Sequence, residues 1–262
     1  KSASPNSATA EAVGPTRVSM GNGTSAEDAE KVGFRVLGVQ SDSPASEAKL
    51  INFFDFIVSA AGVPLRTLDA TFVELIEKHV DQPLPITVYN CKDNSQREVT
   101  ITPSSTWGGI GLLGVTIRFD TYANMEESLV RVLEVARHSP AEIAGLKAGE
   151  DYLLGTSERV FKNPDVLFEE VTSHIDNPLE MYVYNTETDA VRTIVILPTN
   201  NWGGDGTLGA SVGHGYLHRL PERCLHTPGR NQEMKLTSEA PKSKAVEVSQ
   251  APTPVDPIED EV

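Results

Sequence analysis

The chain has 262 residues, with 22 lysines and arginines against 37 aspartates and glutamates, for a net charge of −15. That balance excludes a basic nucleic-acid footprint and a surface drawn to anionic lipid by its own charge. Two cysteines, Cys91 and Cys224, are too few for a disulfide framework and point to a reducing compartment.

Residues 1–32 are rich in Ala, Ser, Thr, Gly and Glu, have little to bury, and read as a disordered segment. No apolar core of a secretory signal stands among the first residues. The longest mostly apolar stretch, Phe53 to Val63, carries Asp55 and is too short to cross a bilayer, so a soluble, cytosolic chain is expected. Within the first segment, Met20-Gly21-Asn22-Gly23-Thr24-Ser25 fits the myristoylation pattern M-G-x-x-x-[ST], with Gly21 as acceptor. Transfer needs a free N-terminal glycine. Residues 1–19 are therefore expected to be upstream sequence or an alternative start; the rival reading is a chance Met-Gly in a disordered tail.

Next come short alternating or β-branched runs bounded by turn residues: 34–39, 55–61, 84–90, 97–103 and 114–119. Lys92-Asp93-Asn94-Ser95 reads as a hairpin turn. A helix is predicted over 69–79, with Phe72, Leu75, Ile76 and His79 on one face and Asp69 as its cap. The pattern then repeats. Arg35-Val36-Leu37 returns as Arg131-Val132-Leu133, Ser43-Pro44-Ala45 as Ser139-Pro140-Ala141, Val88-Tyr89-Asn90 as Val183-Tyr184-Asn185, and Trp107-Gly108-Gly109 as Trp202-Gly203-Gly204. The offsets, 96, 96, 95 and 95, mean a duplicated small domain rather than a solenoid unit. In the second copy Asn163 caps a helix with Pro164 at its first position, and Leu167, Phe168, Val171 and Ile175 form its predicted buried stripe. Strands with one main helix per copy suggest small, partly open barrels, each capped by a helix. The last segment, with six prolines between Pro221 and Val262, reads as an acidic disordered tail.

Gly109-Ile110-Gly111-Leu112-Leu113-Gly114 and Gly204-Asp205-Gly206-Thr207-Leu208-Gly209 both fit G-x-G-x-x-G. A dinucleotide site needs those glycines to open a helix, and here an alternating strand follows Gly114. Two readings remain for the glycines. They form a tight turn only, or they aim backbone N–H groups into an anion nest beside an open strand edge that accepts an extended peptide.

Copy two contains Ser139-Pro140-Ala141, Ala144-Gly145-Leu146, Gly149-Glu150-Asp151 and Leu153-Leu154, a run that resembles PDZ domains. Copy one has a weaker version, from Ser43-Pro44-Ala45 through Phe54-Asp55-Phe56-Ile57-Val58. The Gly-Leu-Gly turn lies near the end of each unit, as in circularly permuted PDZ domains. The tandem pair, closed by WGGIGLLGVTIRF and NWGGDGTLGASVGHGYLHRLP, resembles the Golgi reassembly stacking proteins (GRASP) over about 33–221. The resemblance implies an α+β, mainly β fold of two permuted PDZ-like domains, at 33–122 and 129–221, with a tail at 222–262 and no catalytic activity. It also implies a tether on the cytoplasmic face of Golgi membranes. An N-terminal lipid would hold each molecule, with self-association in trans and binding of golgin C-termini.

By the same resemblance, Leu112, Leu113, Gly114, Val115 and Ile117 line a first peptide groove, with Leu75 or Ile76 from the facing helix. Leu208, Gly209, Ala210 and Ser211 line a second groove, and Tyr216, Leu217 and Leu220 belong to an internal ligand segment. Some family members share a zinc with a golgin through a histidine and a cysteine; here those positions hold Arg35 and Asp120. His214, His218, Cys224 and His226 match no common zinc spacing. No metal and no cofactor is expected. The alternative function is a soluble PDZ peptide-binding adaptor without membrane tethering, of the unconventional-secretion or protease-adaptor type.

Overall fold

The computed structural model describes residues 31–125 and 128–232; the lipidation motif at Gly21 and the segment 233–262 lie outside them. The first repeat runs β1 (Val32–Val39), α1 (Pro44–Glu47), β2 (Asp55–Ala60), β3 (Val63–Pro64), α2 (Thr71–Lys78), β4 (Leu84–Asn90), β5 (Ser95–Ile101) and β6 (Val115–Thr121). The second runs β7 (Val130–Val135), α3 (Pro140–Ile143), β8 (Asp151–Gly155), α4 (Pro164–Ser173), β9 (Leu179–Asn185), β10 (Ala190–Ile196) and β11 (Ala210–His214). The sheet orders correspond strand for strand: β5-β4-β2-β1-β6, with β3 added on β2, and β10-β9-β8-β7-β11. These are two sheets with free edges rather than closed barrels. Among the described residues β6 pairs only with β1, and β11 only with β7.

Local chemistry explains the elements. Ser43 and Ser139 each accept an N–H from three residues on, at 3.1 Å, and a proline opens each short helix where no N–H is needed. Asn163 caps α4 as expected, accepting from Val166 N at 2.9 Å. Ala70, not Asp69, occupies the cap position of α2; Asp69 stands one residue earlier and takes the Thr71 N–H at 2.9 Å. Its side chain is also engaged by the Thr67 hydroxyl, which makes Asp69 a turn-former as well as a helix starter.

A buried clamp recurs in both copies. Asp55 and Asp151 are fully buried and accept bidentate bonds from Arg97 and Arg192 respectively, the closer ones at 2.5 and 2.6 Å. Asn90 and Asn185 donate to the same carboxylates at 2.8 and 2.7 Å, and Ile51 N and Lys147 N complete the sets. Each carboxylate thus ties the loop before its strand to two neighbouring strands. The burial is tolerable only because every oxygen is answered.

Three apolar cores result. One belongs to each repeat, and a third joins them through Phe53, Phe54, Phe56, Tyr152, Tyr184 and Leu220. The joint also orders residues expected in the tail, so the expected boundary at 221 falls inside the fold. β12 (Arg230–Asn231) pairs in parallel with β10, and Asn231 bonds to Leu50 O and Asn52 N of the first repeat. Lys92, buried in the first repeat, donates to Cys224 O (2.5 Å) and Thr227 O (2.7 Å) and pairs with Asp189 (2.8 Å). This strap crosses from one repeat to the other, which a reading of proline content did not foresee.

Candidate peptide-binding grooves

Each glycine turn is held by three backbone N–H groups, one of them from the Ser-Pro-Ala helix. Ala45 N donates to Leu113 O at 3.0 Å, and Gln40 N and Ser104 N take the carbonyls of Gly114 and Leu112. In the second copy Ala141 N, Ala136 N and Thr199 N take the carbonyls of Leu208, Gly209 and Thr207. A trans peptide sets its C=O and the following N–H on opposite sides. With the carbonyls turned inward, the N–H groups of Leu113, Gly114 and Val115, and of Leu208, Gly209 and Ala210, face the other way. Such an arrangement suits an anion or a strand end, at the start of a strand paired along one edge only among the described residues.

Why glycine is needed follows from the packing. Gly114 and Gly209 have φ of 64° and 66°, and a Cβ on either would lie 2.3 Å from the Cβ of the capping serine. The tryptophans lock the turn: Trp107 Nε1 donates to Gly111 O (2.8 Å) and Trp202 Nε1 to Gly206 O (2.7 Å). Each indole lies against glycines where a Cβ would clash. Both tryptophans are therefore turn-formers. No helix follows either glycine motif; Val115 and Ala210 each open a strand.

Between α4 and β11 lies a groove of about 420 Å³, lined by Leu167, Phe168, Val171, Leu208, Ala210 and Val212, with Asp165 and Asp205 at its rim. Leu208 and Gly209 line it as well. Ser211 does not line it: strand alternation turns Ala210 and Val212 into the groove and leaves Ser211 exposed. Phe168, expected in the buried stripe, is 70% exposed and forms the lip. The signal that would have found Val212 was available, since it stands 95 residues after Ile117.

The first groove follows by that register. Leu113 is buried, while Leu112, Val115 and Ile117 are half-buried beside α2. By the repeat register the counterparts of Phe168 and Val171 are Val73 and Ile76, while Leu75 and Ile76 are both partly buried against the core of the first repeat. Val73, 54% exposed, was missed.

In the proposed internal ligand segment, Tyr216 and Leu217 are exposed, and the Arg219 guanidinium lies 3.9 Å from the Tyr216 ring centroid. Leu220 is different: it is buried in the joint core and is not free to leave without opening it. Arg35 and Asp120 form a buried ion pair at 3.6 Å, with Lys162 on the other carboxylate oxygen at 2.7 Å. A guanidinium has no lone pair to offer, so these two residues do not fit a metal. His214 Nδ1 lies 3.3 Å from Leu129 O, the His218 ring packs over Gly213, Cys224 is buried, and no group of three or more metal-ligating side chains gathers among the described residues. Burial pushes the Cys91 thiol up to about 12, which leaves it inert.

The profile of the GRASP55/65 PDZ-like domain matches this chain twice, at residues 18–116 and 86–223. The chain is 40% identical over 203 residues to "Golgi reassembly-stacking protein 1" of Mus musculus, and 39% identical over 204 residues to the Homo sapiens protein of that name. Each match covers 77% of this chain, and 45% and 46% of the relatives. "GRASP65 homolog protein 1" of Saccharomyces cerevisiae is 38% identical over 96 residues, 36% of this chain and 24% of the relative. The chain thus spans less than half the length of these relatives. Two permuted PDZ-like repeats, each with its tryptophan-locked glycine turn, place the chain in the GRASP family.

Proposed function

We propose that the chain is a non-enzymatic membrane-tethering scaffold of the Golgi that works through its two peptide grooves. The observation that carries this reading is the pairing, in each repeat, of an unpaired edge strand with outward N–H groups and an apolar helix face. The names of the mammalian relatives supply the Golgi context. In this reading one molecule offers Tyr216 and Leu217 to the first groove of another in trans. Such heterologous contacts propagate and suit a weak multivalent tether. Golgin C-termini are the second class of groove ligand, and a myristoyl group on Gly21 holds the chain to the cytoplasmic face. One such lipid binds marginally, so partner binding or multivalency is needed for stable anchoring.

The test is sedimentation of the full chain over a wide concentration range, beside Val73→Glu and Phe168→Glu. Both sites are exposed, so neither change should unfold the protein. Concentration-dependent assembly is expected, weakened roughly tenfold or more by Val73→Glu. A wild-type chain that stays monomeric removes the trans mechanism. If it still binds golgin C-terminal peptides, the soluble adaptor remains as the better reading.

A further inference from the structure

The two grooves differ at their rims, and the difference carries a specificity. In the second groove Asp165 stands in the first turn of α4 and Asp205 within the glycine turn, and both line it. Both are exposed, and neither has an ion-pair partner among the described residues. The base nearest Asp165 in sequence, Lys162, is engaged by Asp120 at 2.7 Å, and neither it nor Arg137 and His138, exposed next to the Ala136 bond to Gly209, lines the groove. At the matching positions the first repeat has Ala70 and Ile110. Its nearest carboxylate, Asp69, is already held by Thr67 and Thr71.

We infer that the second groove selects a basic extended segment that runs through it, rather than a free C-terminus. The inference rests on the peptide-groove reading above and names the ligand class for one of its two sites. A terminal carboxylate placed on the nest would share the groove with the two lining carboxylates, and like charges there disfavour docking. A lysine or arginine on either side of the anchoring apolar residue meets opposite charge instead. The strand edge still supplies main-chain bonds to an internal segment, because β-addition needs no chain end. The pocket of Leu167, Val171, Leu208 and Val212 takes the anchor side chain.

The experiment measures fluorescence anisotropy of three labelled peptides on the full chain. They are Thr-Lys-Ser-Lys-Leu-Val with a C-terminal amide, its free-acid twin, and an amide with both lysines replaced by glutamate. The proteins are wild type, Asp165→Asn/Asp205→Asn, and Phe168→Glu. Expected is an affinity about fivefold higher for the lysine amide than for the glutamate amide in low salt. That preference should shrink as salt rises and vanish in the double variant, with Phe168→Glu abolishing binding. If the free acid binds tightest, the double variant changes nothing, and Phe168→Glu still abolishes binding, the selectivity is overturned while the groove stands. If no peptide responds to Phe168→Glu, the groove reading falls with it.

Discussion

The two repeats agree in what builds the groove and disagree in what the groove presents. Both retain the serine-capped helix that takes one turn carbonyl, two flanking N–H groups that take the next ones, the tryptophan across the glycine turn, and the Asp-Asn-Arg clamp. They part at the lip, where Val73 stands in place of Phe168, and at the rim, where Ala70 and Ile110 stand in place of Asp165 and Asp205. They part again at the joint. Phe53 and Phe54 of the first copy, buried against the second, correspond to Gly149 and Glu150. Duplication thus kept the backbone geometry, which tolerates little change, and varied the side chains that meet partners.

The sharpest way to break this comparison is at the clamp. Asp55→Ala and Asp151→Ala should each cost about 3–5 kcal/mol, because removing one carboxylate leaves a guanidinium, an amide and a backbone N–H without their acceptor. Urea unfolding at neutral pH measures both. Similar losses support a shared device; a loss under 1 kcal/mol in either copy would show that the two clamps have diverged.

Lys92 tests the asymmetry instead. Its counterpart, Glu187, is exposed and pairs with Arg223, whereas Lys92 is buried and holds the strap. Lys92→Met should cost about 1.5–3 kcal/mol, the scale of hydrogen bonds to a charged group. It should also open 221–232 to limited proteolysis while the repeats stay resistant. Unchanged cleavage would mean that β12 and Asn231 hold the strap without the ammonium.

The smallest effect is alkaline. Burial raises the Cys91 thiol from 9.0 to about 12. Between those values the unfolded chain loses that proton and the folded chain keeps it, so stability is intact below pH 9 and declines as pH climbs toward 12. Cys91→Thr copies the residue of the second repeat, Thr186, and should flatten that decline in unfolding curves at pH 8 and 10.5. Native Cys91 should also resist thiol reagents; rapid modification in the folded protein would argue that the joint opens readily.

Much of the molecule was legible in the amino-acid order. The duplication, the strand runs, the proline-initiated helix of the second copy and the strand after each glycine turn all rest on local chemistry: caps, φ restrictions and period-two alternation. The groove strands were legible because a glycine turn ahead of an edge strand is a local signal. What failed concerned cover. Phe168 has the spacing of a core residue, Leu220 that of an exposed ligand, and 222–232 the composition of a tail. The first is exposed, the second buried, and part of the third is a strand. Periodicity says which side of an element is apolar, but whether anything covers that side depends on distant partners. Here those partners are the other repeat, the buried Lys92 ammonium and the loop at Leu50–Asn52, which only the assembled fold brings within bonding distance.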